Sequence, residues 1–153
     1  MKSILVGDCK VLVDKDIFWE LKGLNIFLLK GYVKVRIGRK RMFLHNLIMG
    51  NSHPLQVDHI NVNKLDNRRE NLRICTSAQN KMNKGPHKNN KTGFKGVSIN
   101  PKNGKFVASL GVNKKKIHIG TFSSKESAAK AYNDMAEKHY GEFAKLNTIP
   151  EAK

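Results

Sequence analysis

The sequence predicts an α+β protein built from two small modules, and three observations carry that expectation. Residues 55–83 run in the order strand, polar loop, strand, helix, with chemically able side chains on the first strand and on the helix. Short β-hairpin patterns precede them. From Thr92 onward the pattern changes to a small three-stranded antiparallel sheet packed on one helix. The expected boundaries are 1–83 for the hairpins and core, with its motif at 57–83, then 84–91 as a basic linker and 92–153 as a second domain.

The composition limits the partners. A chain of 153 residues suffices for one ordinary domain or two very small ones. Lys and Arg number 29 against 12 Asp and Glu, a formal net charge of +17. Such charge costs self-repulsion unless a polyanion relieves it, and phosphates neutralised by Lys and Arg release counterions and drive binding. Double-stranded DNA is the expected partner. A membrane surface would call for a basic amphipathic helix, and the one long helical stretch has a mixed polar face. No protein partner is implied, and a monomer is expected.

Cys9 and Cys75 are too few for a disulfide framework or a four-thiolate zinc site, so both read as reduced core residues. The apolar run near Met1 is too short for a signal peptide, and none approaches a membrane span. The expectation is a soluble protein of a reducing cytosol.

Asn25 to Leu29, Tyr32 to Ile37 and Arg41 to Leu44 read as strands joined by turns at Lys30-Gly31 and Gly38-Arg39-Lys40. Alternation sends Val33, Val35 and Ile37 inward and Tyr32, Lys34 and Arg36 outward. A solvated sheet face is the bland account of that pattern. The total charge favours a DNA-facing ribbon that bears Lys34, Arg36, Arg39, Lys40 and Arg41. His45 to Met49 reads as one helical turn, and Asn51 to Pro54 as a loop.

In the central stretch Asp58 and His59 are strand neighbours, so their side chains point to opposite faces and have different work to do. Asp58 offers hard oxygens suited to magnesium. His59 titrates near neutrality and can deprotonate water. Thr76 caps a helix with Gln79 at the capping-box position, and Asn80 in the first turn can supply an amide oxygen to the same metal. Asn71 closes the loop, where an asparagine amide can pin backbone groups. Individually these are ordinary structural residues. Their combined spacing on this frame is not.

The segment 84–91 has helix breakers and charge without apolar periodicity. Lys84, Lys88 and Lys91 either track phosphates or keep it soluble. Beyond it, Phe94 to Asn100, Lys105 to Val112 and Lys115 to Phe122 read as strands, with turns at Pro101 to Gly104 and at Asn113-Lys114. Ser123 with Glu126 reads as the capping box of a helix, with Ala128, Ala131, Tyr132, Met135, Ala136 and His139 on one face and Gly141 at its end. The module has no catalytic constellation. It reads as a binding module of about 55 residues, near the lower limit for independent folding.

Asp58-His59, Asn71 and Asn80 resemble the HNH endonuclease motif in the variant whose last histidine is an asparagine. Together with Leu44 to Ile48, Asn63 to Leu72 and Gln79-Asn80, they resemble the phage and intron-encoded homing endonucleases over residues 25 to 83. That resemblance implies a ββα-metal core. Asp58 and Asn80 would hold one divalent ion, magnesium or manganese, His59 would activate water, and Asn71 would orient the loop. The products implied are a 5′-phosphate and a 3′-hydroxyl, made in bacterial cytosol if a phage encodes the chain. Arg68 and Arg69 fall among the expected DNA contacts. His45 reads as packing or phosphate contact, with catalysis the lesser option. His53 reads as a loop residue, and His87 and His139 as solvated or structural.

Gly93 to Val97, Gly104 to Phe106, Ile119 to Phe122, Ala128 to Tyr132 and Leu146-Asn147 resemble the APETALA/ethylene-response-factor DNA-binding domain over residues 92–147. The resemblance places its sheet in the major groove. Lys95, Ser98, Asn100, Lys105, Ser109, Gly111, Lys116 and His118 stand at contact positions. Ser98, Asn100, Gly111 and His118 depart from the plant pattern of arginine and tryptophan, so the plant target does not carry over. Two functions follow: a site-specific metal-dependent endonuclease, or a non-catalytic DNA-binding regulator that keeps the core as scaffold. Charge alone also leaves structured RNA open as a target, without the aromatic clusters of single-strand binders.

Overall fold

The computed structural model describes residues 1–50 and 54–150, so the expected loop of His53 lies largely outside the described residues. The chain divides into two compact units, Met1–Lys81 and Met82–Lys153.

The first unit opens with an antiparallel hairpin of β1 (Lys2–Val6) and β2 (Cys9–Val13), followed by helix α1 (Lys15–Glu20). Neither the hairpin nor the helix was among the expected elements. Val6, Val11 and Val13 are buried while Lys2, Ser3, Leu5 and Lys10 are exposed, so only part of the run shows the period-two alternation of a half-buried strand. Cys9 is half-buried and Cys75 buried, both as free thiols.

A three-stranded antiparallel sheet follows, β3 (Asn25–Leu29), β4 (Tyr32–Ile37) and β5 (Lys40–Phe43), in the order β3-β4-β5. Lys30 and Gly31 both have positive φ, +52° and +75°, in the two-residue turn whose handedness suits the strand twist. Val33 and Val35 are fully buried as the alternation predicts. Ile37, expected inward, is 42% exposed because it ends its strand. Helix α2 (Leu44–Ile48) then buries Leu44 and His45. Val11, Val13, Ile17, Leu21, Val33, Val35 and Leu44 make one core, with Met42, Leu47 and Leu65 packed against it.

Next comes the antiparallel pair β6 (Gln56–His59) and β7 (Leu72–Cys75), joined by a polar loop whose end, residues 69–71, is a 3-10 turn. Helix α3 (Ser77–Met82) follows at once. Hairpin strand β2 backs the loop: Leu12 N donates to Leu65 O and Asn67 N to Leu12 O, each at 2.8 Å, forming a parallel bridge between Leu12 and Asp66.

The second unit is the antiparallel sheet β10-β9-β8, from β8 (Val97–Ile99), β9 (Phe106–Val112) and β10 (Lys115–Phe122), against helix α4 (Lys125–Tyr140). Strand β8 is shorter than Phe94 to Asn100, because Gly93 and Gly96 take positive φ and turn the chain before it. The cap of α4 is Ser124, one residue later than expected: its hydroxyl accepts from Ser127 N at 3.1 Å. Ala128, Ala129, Tyr132 and Ala136 are the helix's buried residues, packed with Val97, Ala108 and Leu110. Met135 is half-buried and His139 exposed.

Two asparagines close this unit. Asn147 takes a hydrogen bond from Lys95 N at 2.7 Å and gives one to Lys95 O at 3.0 Å, while Asn133 and Asn147 bond reciprocally. Asn90, expected in the linker, accepts from Thr92 N and Gly93 N and donates to Phe94 O and Val97 O. It is part of the folded module.

Candidate active site

The site grows from the β6–β7 pair. Register places Asp58 opposite Arg73 and His59 opposite Leu72. Asn71 closes the loop between the strands with both ends of its amide. Its Nδ2 donates to Asp66 O at 2.7 Å, and its Oδ1 accepts from Asn61 N at 3.0 Å. Ile60 N also donates to Asn71 O at 2.9 Å. The next residues bind one another: Asn61 Nδ2 reaches Asp66 Oδ2 at 2.9 Å, and Asn61 and Asn63 side chains accept from the amides of Asn63 and Leu65. Such local amide bonding gives a loop without regular structure a defined shape. Val62 sits at φ +67°, a conformation a β-branched residue rarely adopts.

His59 is buried, 5% exposed, and its Nε2 lies 3.4 Å from Asn67 Oδ1. Asn67 is fully buried, with its Nδ2 committed to Lys64 O at 3.2 Å, so its oxygen faces the imidazole. On that assignment Nε2 carries the proton and Nδ1 is the basic nitrogen. The ring of His45 meets that of His59 edge to face at 5.0 Å, and Tyr32 lies 6.3 Å away. Burial lowers the pKa of His59, opposed by the Asn67 bond and the charges of Asp58 and Asp66. Burial, helped by His59, lowers that of His45 to about 4. Both rings are therefore neutral at neutral pH. His45 stacks on Phe43, and its Nδ1 is buried without a partner.

On the other face of β6, the Asp58 carboxylate is held by the guanidinium of Arg73, with Nη2 at 3.0 Å and Nε at 3.2 Å from Oδ2. Asn80 Nδ2 donates to Gln56 Oε1 at 2.8 Å. Its helix starts on the predicted box: Gln79 N donates to Thr76 Oγ1 at 3.2 Å and Thr76 N to Gln79 Oε1 at 2.8 Å.

Among the described residues no group of three or more His, Cys, Asp and Glu side chains is arranged to hold a metal. A divalent ion would have to rely on Asp58 with an amide oxygen such as that of Asn80. Carboxylate and amide oxygens are hard donors, so their chemistry suits magnesium or manganese. The Arg73 guanidinium already neutralises the Asp58 carboxylate, so an ion bound there would compete with it. In donor chemistry Asp58 and Asn80 fit such an ion.

The basic residues divide. Arg36 and Arg41 are exposed and opposite each other in register; with Asn25 and Phe27 they line a shallow depression. Lys34 Nζ lies 4.3 Å above the Phe43 ring, and Lys64 Nζ lies 3.9 Å above Tyr32. Through Tyr32 and Phe43 this face reaches the two histidines. Arg39 and Lys40 are exposed at the turn.

Arg68 and Arg69, expected among the DNA contacts, both carry ion pairs, and Arg69 stays exposed. Arg68 bonds Asp66 at 2.7 Å through Nε and Nη2 and also pairs with Glu70. Arg69 pairs with Asp16 at 2.7 Å and with Asp14 at 3.4 Å.

In the second unit Lys84, Lys88, Lys91, Lys105, Lys116 and His118 are exposed. Ser98 is exposed and Ser109 half-buried, paired in register with Val107 and His118. Lys95 is turned inward: its ammonium donates to Met82 O, and burial with Lys145 nearby lowers its pKa to about 8. Asn100 Oδ1 accepts from Lys102 N at 3.0 Å and shapes the β8–β9 turn. Gly111 O accepts from the Tyr140 hydroxyl.

Sequence reasoning missed Arg73, Asn67 and the hairpin strand behind the loop. Arg73 was detectable, because closing a hairpin between His59 and Leu72 puts it across from Asp58. Asn67 carried no local signal.

A strand pair, a pinned polar loop and a capped helix around a buried histidine define a ββα site, and residues 45–82 match the family model for HNH endonuclease. The chain is 38% identical over 124 residues to an uncharacterized HNH endonuclease of Acanthamoeba polyphaga mimivirus, covering 78% of this chain. It spans 64% of that relative's length, less than two thirds. No solved structure gives a significant match.

Proposed function

We propose that this chain is a DNA endonuclease of the HNH class, of the site-specific homing type, that hydrolyses one phosphodiester bond with a histidine base and one divalent metal ion. The observation that carries the reading is His59: a buried, neutral imidazole on the strand that bears Asp58 on its opposite face, with an adjoining loop that Asn71 pins at both ends. A neutral imidazole can take a proton from water. The water oxygen then attacks phosphorus, the bond to the 3′ oxygen breaks, and that oxygen is protonated from solvent, leaving a 5′-phosphate and a 3′-hydroxyl. Asp58 and Asn80 would hold the ion, magnesium or manganese, which supplies electrostatic stabilisation of the charge developing on the leaving oxygen. Asn71 would keep the loop, and through Ile60 the end of the strand, in register with the substrate.

Double-stranded DNA is the proposed substrate. Lys34, Arg36, Arg39, Lys40 and Arg41 would follow its backbone beside the histidines. Lys105, Lys116, Ser98, Ser109 and His118 of the ethylene-response-factor-like sheet would read the major groove. The ion pair of Asp58 with Arg73 favours one competing reading, a non-catalytic DNA-binding regulator in which the carboxylate is purely structural. Cleavage of supercoiled plasmid carrying DNA from the protein's own genome separates them. Nicking that requires metal and is lost in His59→Ala supports the enzyme. Tight binding without cleavage under every metal tried supports the regulator.

A further inference from the structure

Resting on the endonuclease reading, we propose that Arg73 is a resident cation on Asp58 that competes with the divalent metal and is drawn away by a DNA phosphate. Metal and DNA would therefore bind cooperatively.

The pair is well defined. The two side chains face each other across adjacent antiparallel strands and are 8% and 11% exposed. Arg73 Nη2 and Nε both donate to Oδ2 of Asp58. A guanidinium and a divalent cation on one carboxylate repel each other, so each weakens the other. A guanidinium also matches phosphate geometry and is the side chain best suited to exchange a carboxylate for a phosphate oxygen. Burial makes the exchange consequential. Removing Arg73 with nothing in its place would leave Asp58 buried without its neutralising charge, which is costly. Arg73 therefore leaves when a new cation takes its place and a new anion receives it. That condition is met when metal and phosphate arrive together. Linkage then requires that duplex DNA tighten metal binding by the same factor by which metal tightens DNA binding.

The test measures free Mn2+ by electron paramagnetic resonance during titration of the full chain, with and without a 30-base-pair duplex. Mn2+ taken up by the duplex alone is subtracted, and wild type is compared with Arg73→Gln. Circular dichroism checks the fold. If Arg73→Gln does not fold, Arg73→Met, which removes the charge and keeps most of the side-chain volume, takes its place. The expected result is weak Mn2+ binding by wild type that duplex tightens at least tenfold. The variant without DNA should bind Mn2+ at least severalfold more tightly than wild type and gain less from duplex. Equal Mn2+ affinity in wild type and variant, unchanged by duplex, overturns the proposal while leaving the endonuclease reading intact. Absence of Mn2+ binding in every arm overturns both.

Discussion

The imidazoles of His45 and His59 meet edge to face at 5.0 Å, and both are buried and neutral at neutral pH. The contact joins the short helix after the hairpin sheet to the strand that bears Asp58.

His45 sets an acid limit on stability. Its pKa falls from 6.5 to about 4 on folding, so the unfolded chain binds the proton more tightly. Stability from this group is fully present above pH 6.5 and is lost as pH falls towards 4, by up to ~3 kcal/mol. Urea unfolding at pH 7 and pH 4.5 should show that loss in wild type and a smaller one in His45→Phe. An equal loss in both proteins would remove His45 as the cause.

His59 sets the acid limb of activity. Its pKa is lowered chiefly by burial, so the imidazole remains an unprotonated base at pH values where an exposed histidine is already charged. The acid limb of kcat/KM for plasmid nicking should have its midpoint below pH 6.5. His59→Ala should lower the rate about 10²–10⁴-fold, the usual contribution of a general base.

Arginines should differ in the salt dependence of duplex binding. If ~8 phosphates are neutralised, the log-log slope is near −7. Arg36→Ala and Arg41→Ala should each reduce its magnitude by about 1, because these exposed side chains face the proposed DNA. Arg68→Ala should leave the slope in place and lower stability instead, since its guanidinium holds Asp66 inside the loop. A slope change for Arg68 equal to that for Arg36 would reverse the assignment.

Gly96 should be intolerant of any side chain. At φ +75° an added Cβ would lie 2.0 Å from the Tyr132 ring and 2.9 Å from Ser109 O. Tyr132 is 2% exposed in a small core with little room to move. Gly96→Ala should destabilise the second unit by about 3 kcal/mol or more, through overpacking and backbone strain together. Thermal unfolding followed by circular dichroism would record it, and an unchanged melting temperature would contradict the packing described.

The sequence by itself determined the element types where local chemistry is strong. Alternation marked β4 and β9, glycine or asparagine with lysine marked the hairpin turns at Lys30-Gly31 and Asn113-Lys114, and Thr76 with Gln79 marked the start of α3. It also singled out Asp58, His59, Asn71 and Asn80, because their spacing is a one-dimensional pattern. It placed the cap of α4 one residue early, where Ser123 and Ser124 compete and only backbone geometry chooses between them.

Tertiary structure alone decided which charges are available. Arg68 and Lys95 are, in sequence, as basic as Arg36 and Lys116, yet the fold turns them onto Asp66 and onto the Met82 carbonyl. It also decided that His45 lies against His59, that Asn67 orients the imidazole, and that Arg73 occupies Asp58. The physical reason is range. Turn chemistry and periodicity act over a few neighbouring residues, whereas ion pairing and burial depend on which distant segments the core brings together.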